Sequence, residues 1–213
     1  MHTNRLKIVG CGGHGKVVID ALLLCEYSFL ISFCDSNKEM LGHEINGILV
    51  DSTMESLSTF SGFLHLAIGN NQIRKNIIAS LNSDISLLTI AHPSAVISKS
   101  AFIEEGSFIA ARAILGPESY IGRGSIINHG AVVDHEVSIG ECSHIAPNST
   151  LGGRVRVGQG VLIGAGAIIL PGVTIGDGAT IAAGAVVLNN VKDNMIVMGI
   201  PAKEAAHRAP YLV

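Results

Sequence analysis

The chain has 213 residues, of which 48% are hydrophobic and 15% charged, and this balance is typical of a folded protein and not of a disordered one. Its formal net charge of -3 at pH 7 includes no basic run, so nucleic acid is not an expected partner. The N-terminus lacks the pattern of a signal peptide and no apolar stretch is long enough to cross a membrane, so we expect a cytoplasmic protein.

Residues 1–91 alternate predicted strands with predicted helices. The pattern predicts strands at 6–9, 29–34, 65–68 and 87–90, and helices at 16–25 and 71–81. Such alternation is typical of a parallel sheet, and it predicts an α/β Rossmann-like domain. About 90 residues hold only one mononucleotide-binding half. We therefore expect a nucleoside diphosphate that carries a further group, and not a redox dinucleotide.

A glycine-rich loop follows the first predicted strand. Gly10, Gly12 and Gly15 satisfy the pattern G-x-G-x-x-G, and Asp35 ends the next strand, at the place of a ribose-binding acid. Glycines let the backbone approach a diphosphate at a helix N-terminus, where free N–H groups and the helix dipole favour negative charge. Segment 68–71, Ile-Gly-Asn-Asn, ends a later strand and is the second place where this ligand is expected.

From Ala95 to Asn190 the sequence repeats every six residues without a gap. The third place is Ile, Leu or Val in all sixteen hexads, the first place is Ala, Ser or Val, and Gly in many fourth and sixth places is expected to supply corner conformations. A helix would spread a period of six around its surface, whereas a short strand and a tight corner return one inward side chain every six residues. The repeat predicts a left-handed parallel β-helix, a three-sided prism of about five coils. The predicted division is 1–91 for the Rossmann-like domain, 92–190 for the β-helix and 191–213 for a C-terminal tail.

Three histidines of the predicted prism, His129, His135 and His144, lie close together in the sequence. His135 is the expected general base, because the neighbouring Glu136 can orient its imidazole and make it more basic. His144 lies half a coil further on, so contact with His135 needs a neighbouring subunit or a bent loop, and both a site role and a structural role stay open. His129 has the same hexad place one face earlier and cannot stack on His135, which favours a structural role. His14, in the glycine-rich loop, either donates to a phosphate or caps the helix.

These motifs together resemble those of a known family, the hexapeptide-repeat sugar acyltransferases of the PglD and NeuD type, which join a small Rossmann-like domain to a left-handed β-helix. The resemblance extends over essentially the whole chain and is carried by Gly-Cys-Gly-Gly-His-Gly-Lys at 10–16, Phe-Cys-Asp-Ser at 33–36, Ile-Gly-Asn-Asn at 68–71 with Arg74, Val-Asp-His-Glu at 133–136, Ser-His-Ile at 143–145 and Gly-Ile-Pro-Ala-Lys at 199–203. For PglD-like members it implies transfer of acetyl from acetyl-CoA to the 4-amino group of a UDP-4-amino-4,6-dideoxy sugar in bacterial glycan biosynthesis. It also implies a homotrimer with active sites between adjacent prisms.

The resemblance implies a role for each matching residue. His135 would be the general base and Glu136 its activator. His144 would be a second active-site histidine, and the backbone N–H of Gly153 would hold the developing oxyanion. Residues implied to bind the nucleotide sugar are Gly12, Gly13, His14, Gly15, Lys16, Asp35, Ser36, Gly69, Asn70 and Asn71. CoA would run along the prism past His144, Gly153, Ala165, Ala183 and Lys203. One departure bears on uridine recognition, because many relatives carry a second acid where this chain has Ser36.

Three other functions stay open at this point. The nearest is O-acetylation of a sialic-acid-like sugar, which the NeuD-type relatives suggest. A zinc-dependent lyase resembling the γ-class carbonic anhydrases would take its ligands from His129, His135 and His144, but their spacing differs from that family's and the glycine-loop domain would have no use. A non-catalytic sensor of nucleotide sugars is the third. No metal is expected for the transferase, because a base and correct alignment suffice for attack of an amine on a thioester.

Overall fold

The structure of the protein is a computed structural model that describes residues 4–82 and 85–205. An α/β domain is followed by a three-sided column of short strands, so the predicted fold class is confirmed. The end of the predicted tail, residues 206–213, lies outside the described residues.

The N-terminal domain contains one mixed sheet and two α-helices. Its elements are β1 (Arg5–Val9), α1 (Gly13–Leu23), β2 (Leu30–Asp35), β3 (Glu44–Ile45), β4 (Ile48–Thr53), β5 (Gly62–Leu66), α2 (Asn71–Ser80) and β6 (Ile85–Leu87), with short 3-10 helices at Lys38–Met40 and Met54–Thr59. The strands form one six-stranded sheet in the order β3-β4-β2-β1-β5-β6. Neighbouring strands are parallel, apart from the antiparallel pair β3 and β4.

Several details of this domain differ from the sequence prediction, and β5, for example, spans Gly62–Leu66 and not 65–68. The hairpin of β3 and β4 is missing from the prediction, although Asn46-Gly47 at its turn, with φ of 51° and 76°, is a strong hairpin signal. Helix α1 begins inside the glycine-rich loop, at Gly13 and not at Lys16. The predicted strand at 87–90 is two strands, because β6 ends at Leu87 and the next strand begins at Ile90 in the prism.

The prism is built from strands that form three faces and, from β7 to β23, recur every six residues. Face one contains β7 (Ile90–Ala91), β10 (Phe108–Ile109), β13 (Ile126–Ile127), β16 (His144–Ile145), β19 (Leu162–Ile163), β22 (Thr180–Ile181), β24 (Ile196–Met198) and β25 (Lys203–Glu204). Face two contains β8 (Val96–Ile97), β11 (Ile114–Leu115), β14 (Val132–Val133), β17 (Thr150–Leu151), β20 (Ile168–Ile169) and β23 (Val186–Val187). Face three contains β9 (Phe102–Ile103), β12 (Tyr120–Ile121), β15 (Ser138–Ile139), β18 (Arg156–Val157) and β21 (Thr174–Ile175). Strands of successive coils pair in parallel, and β25 returns antiparallel to β24.

The repeat positions its residues as the period predicts, with one correction. Third-place side chains from Ile109 to Val187 are at most 5% exposed and form the aliphatic interior. Sixth-place residues from Gly106 to Gly184 have left-handed backbone conformations, including the non-glycine residue Glu136 with φ 57°. Fourth-place glycines do not, so the expectation that they supply corner conformations is wrong. A Cβ on Gly116 would come within 2.7 Å of the His135 backbone nitrogen, so close approach between coils requires these glycines.

The N-terminal domain packs on face one. Phe108 and Ile126, which point outward from that face, are each 1% exposed because the core of the α/β domain continues over them. Apolar residues of α1, such as Val18 and Leu22, belong to the same cluster. The two domains therefore share a buried apolar core. Further along face one, residues of β19 and β22 border a cleft together with residues of the α/β domain.

Candidate functional site

The glycine-rich loop is shaped by two of its three pattern glycines. Gly10 has φ +97°, and a Cβ on Gly15 would overlap the Gly10 carbonyl oxygen. A Cβ on Gly12 or Gly13, in contrast, would have nothing within 4 Å. The first turn of α1 is therefore tightly formed where it meets the sheet and open on the outside, where its free N–H groups are suited to an anion.

Asp35 anchors this loop to the end of β2. Its Oδ2 accepts a hydrogen bond from the Cys11 backbone N–H at 2.8 Å, and its Oδ1 accepts one from Asn37 N–H at 2.9 Å. Burial opposes ionisation, but these hydrogen bonds outweigh it and lower the pKa of Asp35 below its usual value. The carboxylate therefore shapes the loop, and the nearby Ser36 and Lys16 are exposed.

Of the two alternatives for His14, the helix cap is wrong. The N-cap of α1 is Gly12, without a side-chain hydrogen bond, and the His14 ring instead lies against Phe108 with ring centroids 5.3 Å apart. Burial, followed by the nearby His65 and His144, lowers the pKa of His14 to about 3, so its imidazole is neutral. Within the described part of the chain its Nε2 is buried without a hydrogen-bond partner. His14 therefore lies at the domain interface, close to Phe108 and His144 of the prism.

Residues 68–71 form a segment that we call the second loop, and its residues Gly69, Asn70 and Asn71 border a cleft of about 620 Å³ between α2 and the prism. The Asn70 side chain caps α2 by accepting from Ile73 N–H at 3.0 Å. The Asn71 amide donates to the carbonyls of Gly160 and Val161, at 3.1 and 2.9 Å. Both predicted ligand side chains are thus occupied in shaping the loop, and Gly69 borders the cleft with its backbone.

His144 lies in the same cleft, on β16 of face one. Its Nε2 is 3.1 Å from the Asn128 side-chain nitrogen, and its ring centroid is 6.5 Å from that of His14. Burial and the charge of Arg74 lower the pKa of His144 to about 4. His144 is therefore a neutral imidazole beside the second loop of its own chain.

His135 and Glu136 occupy the corner between faces two and three. His135 Nδ1 is 3.0 Å from Glu136 Oε2, and Arg154 Nη1 is 3.8 Å from the same oxygen. A Cβ on Gly153, one coil further along this corner, would overlap the imidazole at Nε2. No hydrogen bond within residues 4–82 and 85–205 uses the Gly153 N–H. The corner thus combines an oriented imidazole, an acid and an available backbone donor.

Other predicted residues lie along the corner between faces one and two. Ala165 and Ala183 stack there in successive coils, where the Gly184 N–H donates to the Ala165 carbonyl at 2.8 Å, and both alanines are exposed. His129 is exposed at the same corner two coils earlier, which agrees with the prediction that it cannot stack on His135. Lys203 is exposed on β25.

Two residues of the site had no predicted role. Arg74 belongs to a motif shared with the family but has no predicted role, and it is fully buried between the domains. Asn128 contacts His144. The one signal for this contact in the sequence is that the two residues are sixteen positions apart, which is close to the length of one coil.

The described residues also bear on metal and membrane binding. Among them, no group of three or more His, Cys, Asp or Glu side chains is arranged to hold a metal ion. No helix in the same part of the chain combines the length and apolar character needed to cross a bilayer.

A hexapeptide-repeat prism with a histidine–carboxylate corner, joined to a glycine-loop α/β domain, defines an acyltransferase of the hexapeptide-repeat class. Family models agree: PglD N-terminal domain matches residues 5–81, and bacterial transferase hexapeptide (six repeats) matches 118–153 and 154–189. The chain belongs to the PglD-type sugar N-acetyltransferases, on the likeness to solved structures described next.

Two similar structures cover nearly the whole chain. One is a variant of GDP-perosamine N-acetyltransferase from Caulobacter crescentus in complex with CoA and GDP-perosamine, with 34% identity, TM-score 0.89, and 95% of this chain and 97% of that chain covered. The other is the acetyltransferase domain of PglB from Neisseria gonorrhoeae with acetyl coenzyme A, with 35% identity, TM-score 0.90, and coverage of 95% and 100%. WeeI from Acinetobacter baumannii, at 23% identity and TM-score 0.72 over 94% of this chain and 99% of that chain, shares the fold. A comparison with curated proteins found no match.

Proposed function

We propose that the protein transfers acetyl from acetyl-CoA to the 4-amino group of a nucleotide-linked 4-amino-4,6-dideoxy sugar, with UDP as the expected nucleotide. The observation that carries this proposal is the His135–Glu136 pair against Gly153 on a prism that also carries a glycine-loop domain. Relatives at 34% and 35% identity that hold CoA with GDP-perosamine, or acetyl coenzyme A, support the reaction class.

His135 is the proposed general base. With Glu136 accepting a hydrogen bond from Nδ1–H at 3.0 Å, the lone pair of the imidazole is on Nε2. Nε2 takes a proton from the amine as the amine nitrogen attacks the thioester carbon. The C–N bond forms, the C–S bond breaks, and CoA leaves as the thiolate, which is then protonated.

Gly153 is the proposed oxyanion donor. The Cα of Gly153 faces the His135 ring, since an added Cβ would overlap it, and we propose that one acyl group contacts the donor and the base together. For CoA we propose a path along the exposed alanine corner of the neighbouring subunit, past Ala165 and Ala183 toward Lys203, because this corner and the Gly153 corner are different edges of one prism. Alanine at both corner positions leaves the backbone open to an extended thiol arm.

A homotrimer is part of the proposal. In a three-sided column, the corner that carries His135 is opposite face one, where the same chain carries its second loop and His144. One chain cannot therefore bring its own base to its own nucleotide loops. Face two supports contact between prisms, because Ile114 and Ile168 point outward from it and are 41% and 42% exposed. The base of one subunit would act on the sugar held by the next.

The test is release of free thiol from acetyl-CoA in the presence of UDP-linked and GDP-linked 4-amino sugars and of sialic acid. We expect turnover with a nucleotide-linked amine, and the preferred nucleotide follows from the same panel. His135→Asn is expected to lower kcat by about 100- to 10,000-fold, the usual contribution of a general base. His43→Asn is the control, because His43 is an exposed histidine of the α/β domain. Turnover with sialic acid alone would replace N-acetylation by O-acetylation, and full activity of His135→Asn would remove this residue from the base role.

A further inference from the structure

Arg74 is the largest fully buried side chain in the described residues, although it is a cation. No Asp or Glu forms an ion pair with it anywhere in residues 4–82 and 85–205. Burial lowers its pKa to about 10, which leaves the guanidinium protonated at neutral pH. Burying a charge without a counter-ion is costly, so the contacts of this side chain need a reason beyond packing.

The guanidinium donates to carbonyl groups of both domains. Its Nε donates to the Gly124 oxygen at 2.6 Å, and Nη2 donates to the Cys142 oxygen at 2.8 Å, at two stacked corners of the prism. On the other side, Nη1 donates to the Ile68 oxygen at 2.7 Å, and Nη2 to Asn71 Oδ1 at 2.8 Å. Because a guanidinium is planar and its donors form a rigid fork, these contacts set the position of the second loop against two coils.

The same contacts reach the strand that carries His144. Nη2 lies 3.4 Å from the Ser143 carbonyl oxygen, immediately before His144 in the chain. His144 in turn borders the cleft together with Gly69 of the second loop. After burial, the charge of Arg74 is the next cause that lowers the pKa of His144. One side chain thus acts on both walls of the cleft.

We propose that Arg74 is a positioning residue that sets the spacing between the second loop and His144, and so aligns the nucleotide-linked amine for transfer. This inference rests on the proposed function. Adhesion between the domains does not account for Arg74, because Phe108 and Ile126 already provide a buried apolar contact between them. An apolar residue would strengthen that contact without the cost of a buried charge.

The test compares Arg74→Lys and Arg74→Met in the full-length protein, with Asn76→Ala as the control on the same helix, where Asn76 is exposed and bonds only to Gln72 among the described side chains. Lysine keeps the charge but cannot reproduce the fork, and methionine keeps much of the volume but removes the charge. We expect kcat/KM for the nucleotide sugar to fall about 10- to 100-fold in both variants, as for a misplacement of about 1 Å. KM for acetyl-CoA should stay within about twofold, since its proposed path lies on another corner. Asn76→Ala should match the wild type.

A second readout separates positioning from simple stabilisation. NMR titration of the His144 ring should show a higher pKa in Arg74→Met than in the wild type, and a smaller change in Arg74→Lys. Equal losses for both substrates that follow the folded fraction would overturn the inference, as would wild-type kinetics in both variants. If Arg74→Met does not fold, Arg74→Lys carries the kinetic test.

The inference can also be separated from the proposed function. If the wild type acetylates no sugar in the panel, the proposed function fails, and binding of UDP and GDP by calorimetry then tests Arg74. Weaker nucleotide binding together with an altered His144 titration would support positioning. Unchanged binding and an unchanged titration would overturn it.

Discussion

Gly153→Ala tests the corner at which His135 lies. A methyl group here would overlap the imidazole at Nε2, so the ring has to move by about 1 Å or more. The His135 side chain is 46% exposed and has room to rotate outward, and the Gly153 backbone lies outside the left-handed region, so alanine itself is not strained. We therefore expect a change in stability within about 1 kcal/mol. A displaced base should lower kcat by about 100-fold, which is about 2.7 kcal/mol in activation free energy.

The assay is thiol release at saturating acetyl-CoA, together with a thermal melt of each protein. Gly172→Ala is the matched control on the next coil of the prism. Its φ is +76° with nothing within 4 Å, so alanine there should cost about 1 to 2 kcal/mol of stability and leave kcat unchanged. Activity should thus depend on residue 153 and stability on residue 172. Full kcat in Gly153→Ala, or a loss explained by unfolding, would refute the proposed arrangement of base and donor.

Two further predictions concern pH and assembly. Burial keeps the pKa values of His65 and His144 at about 4, below the value near 6.5 of an unfolded chain, so the unfolded state binds more protons and stability falls as pH drops from about 6.5 toward 4. The free energy of unfolding should fall by up to about 1.4 kcal/mol per pH unit for each histidine. The urea midpoint should therefore be lower at pH 5 than at pH 7, and equal midpoints would contradict the prediction. Ile168→Glu places a charge among the exposed apolar residues of face two, so sedimentation should show monomers and thiol release should be lost. Leu49→Glu, at an exposed position of the α/β domain, is the control and should change neither result. An active monomer of Ile168→Glu would show that one chain holds a complete site.

The prism could be predicted because the same place in every hexad points its side chain inward. Ile109, Ile127 and Ile145 occupy the same place and all are 0% exposed, so the period alone locates the core. The glycine-rich loop was predictable for a similar reason, since Gly10 and Gly15 meet in a contact that a Cβ would prevent. Local spacing also predicts the His135–Glu136 contact, because the two residues are adjacent in the chain.

The domain interface could not be predicted in this way, because its contacts join residues far apart in sequence. Arg74 donates hydrogen bonds to carbonyl groups fifty and sixty-eight residues away. Every residue has a backbone carbonyl, so the sequence does not indicate which ones accept these bonds. The His14 ring packs against Phe108, and nothing in the hexad of Phe108 indicates that this residue lies at the domain interface. The neutral state of His14 follows from that burial and not from its position in the glycine-rich loop.

The second hexad place shows where the repeat stops being informative. Ile126 and Ile168 both occupy it and have the same chemistry, yet the first is 1% exposed and the second 42%. The difference arises because the α/β domain covers face one and leaves face two open. Six-residue spacing therefore predicts the interior of the column, whereas the use of each outer face depends on what packs against it. We propose that prisms associate through face two. In that case the loops of the α/β domain, which packs on face one of one subunit, meet His135 of the neighbouring subunit, and the two subunits form one site together.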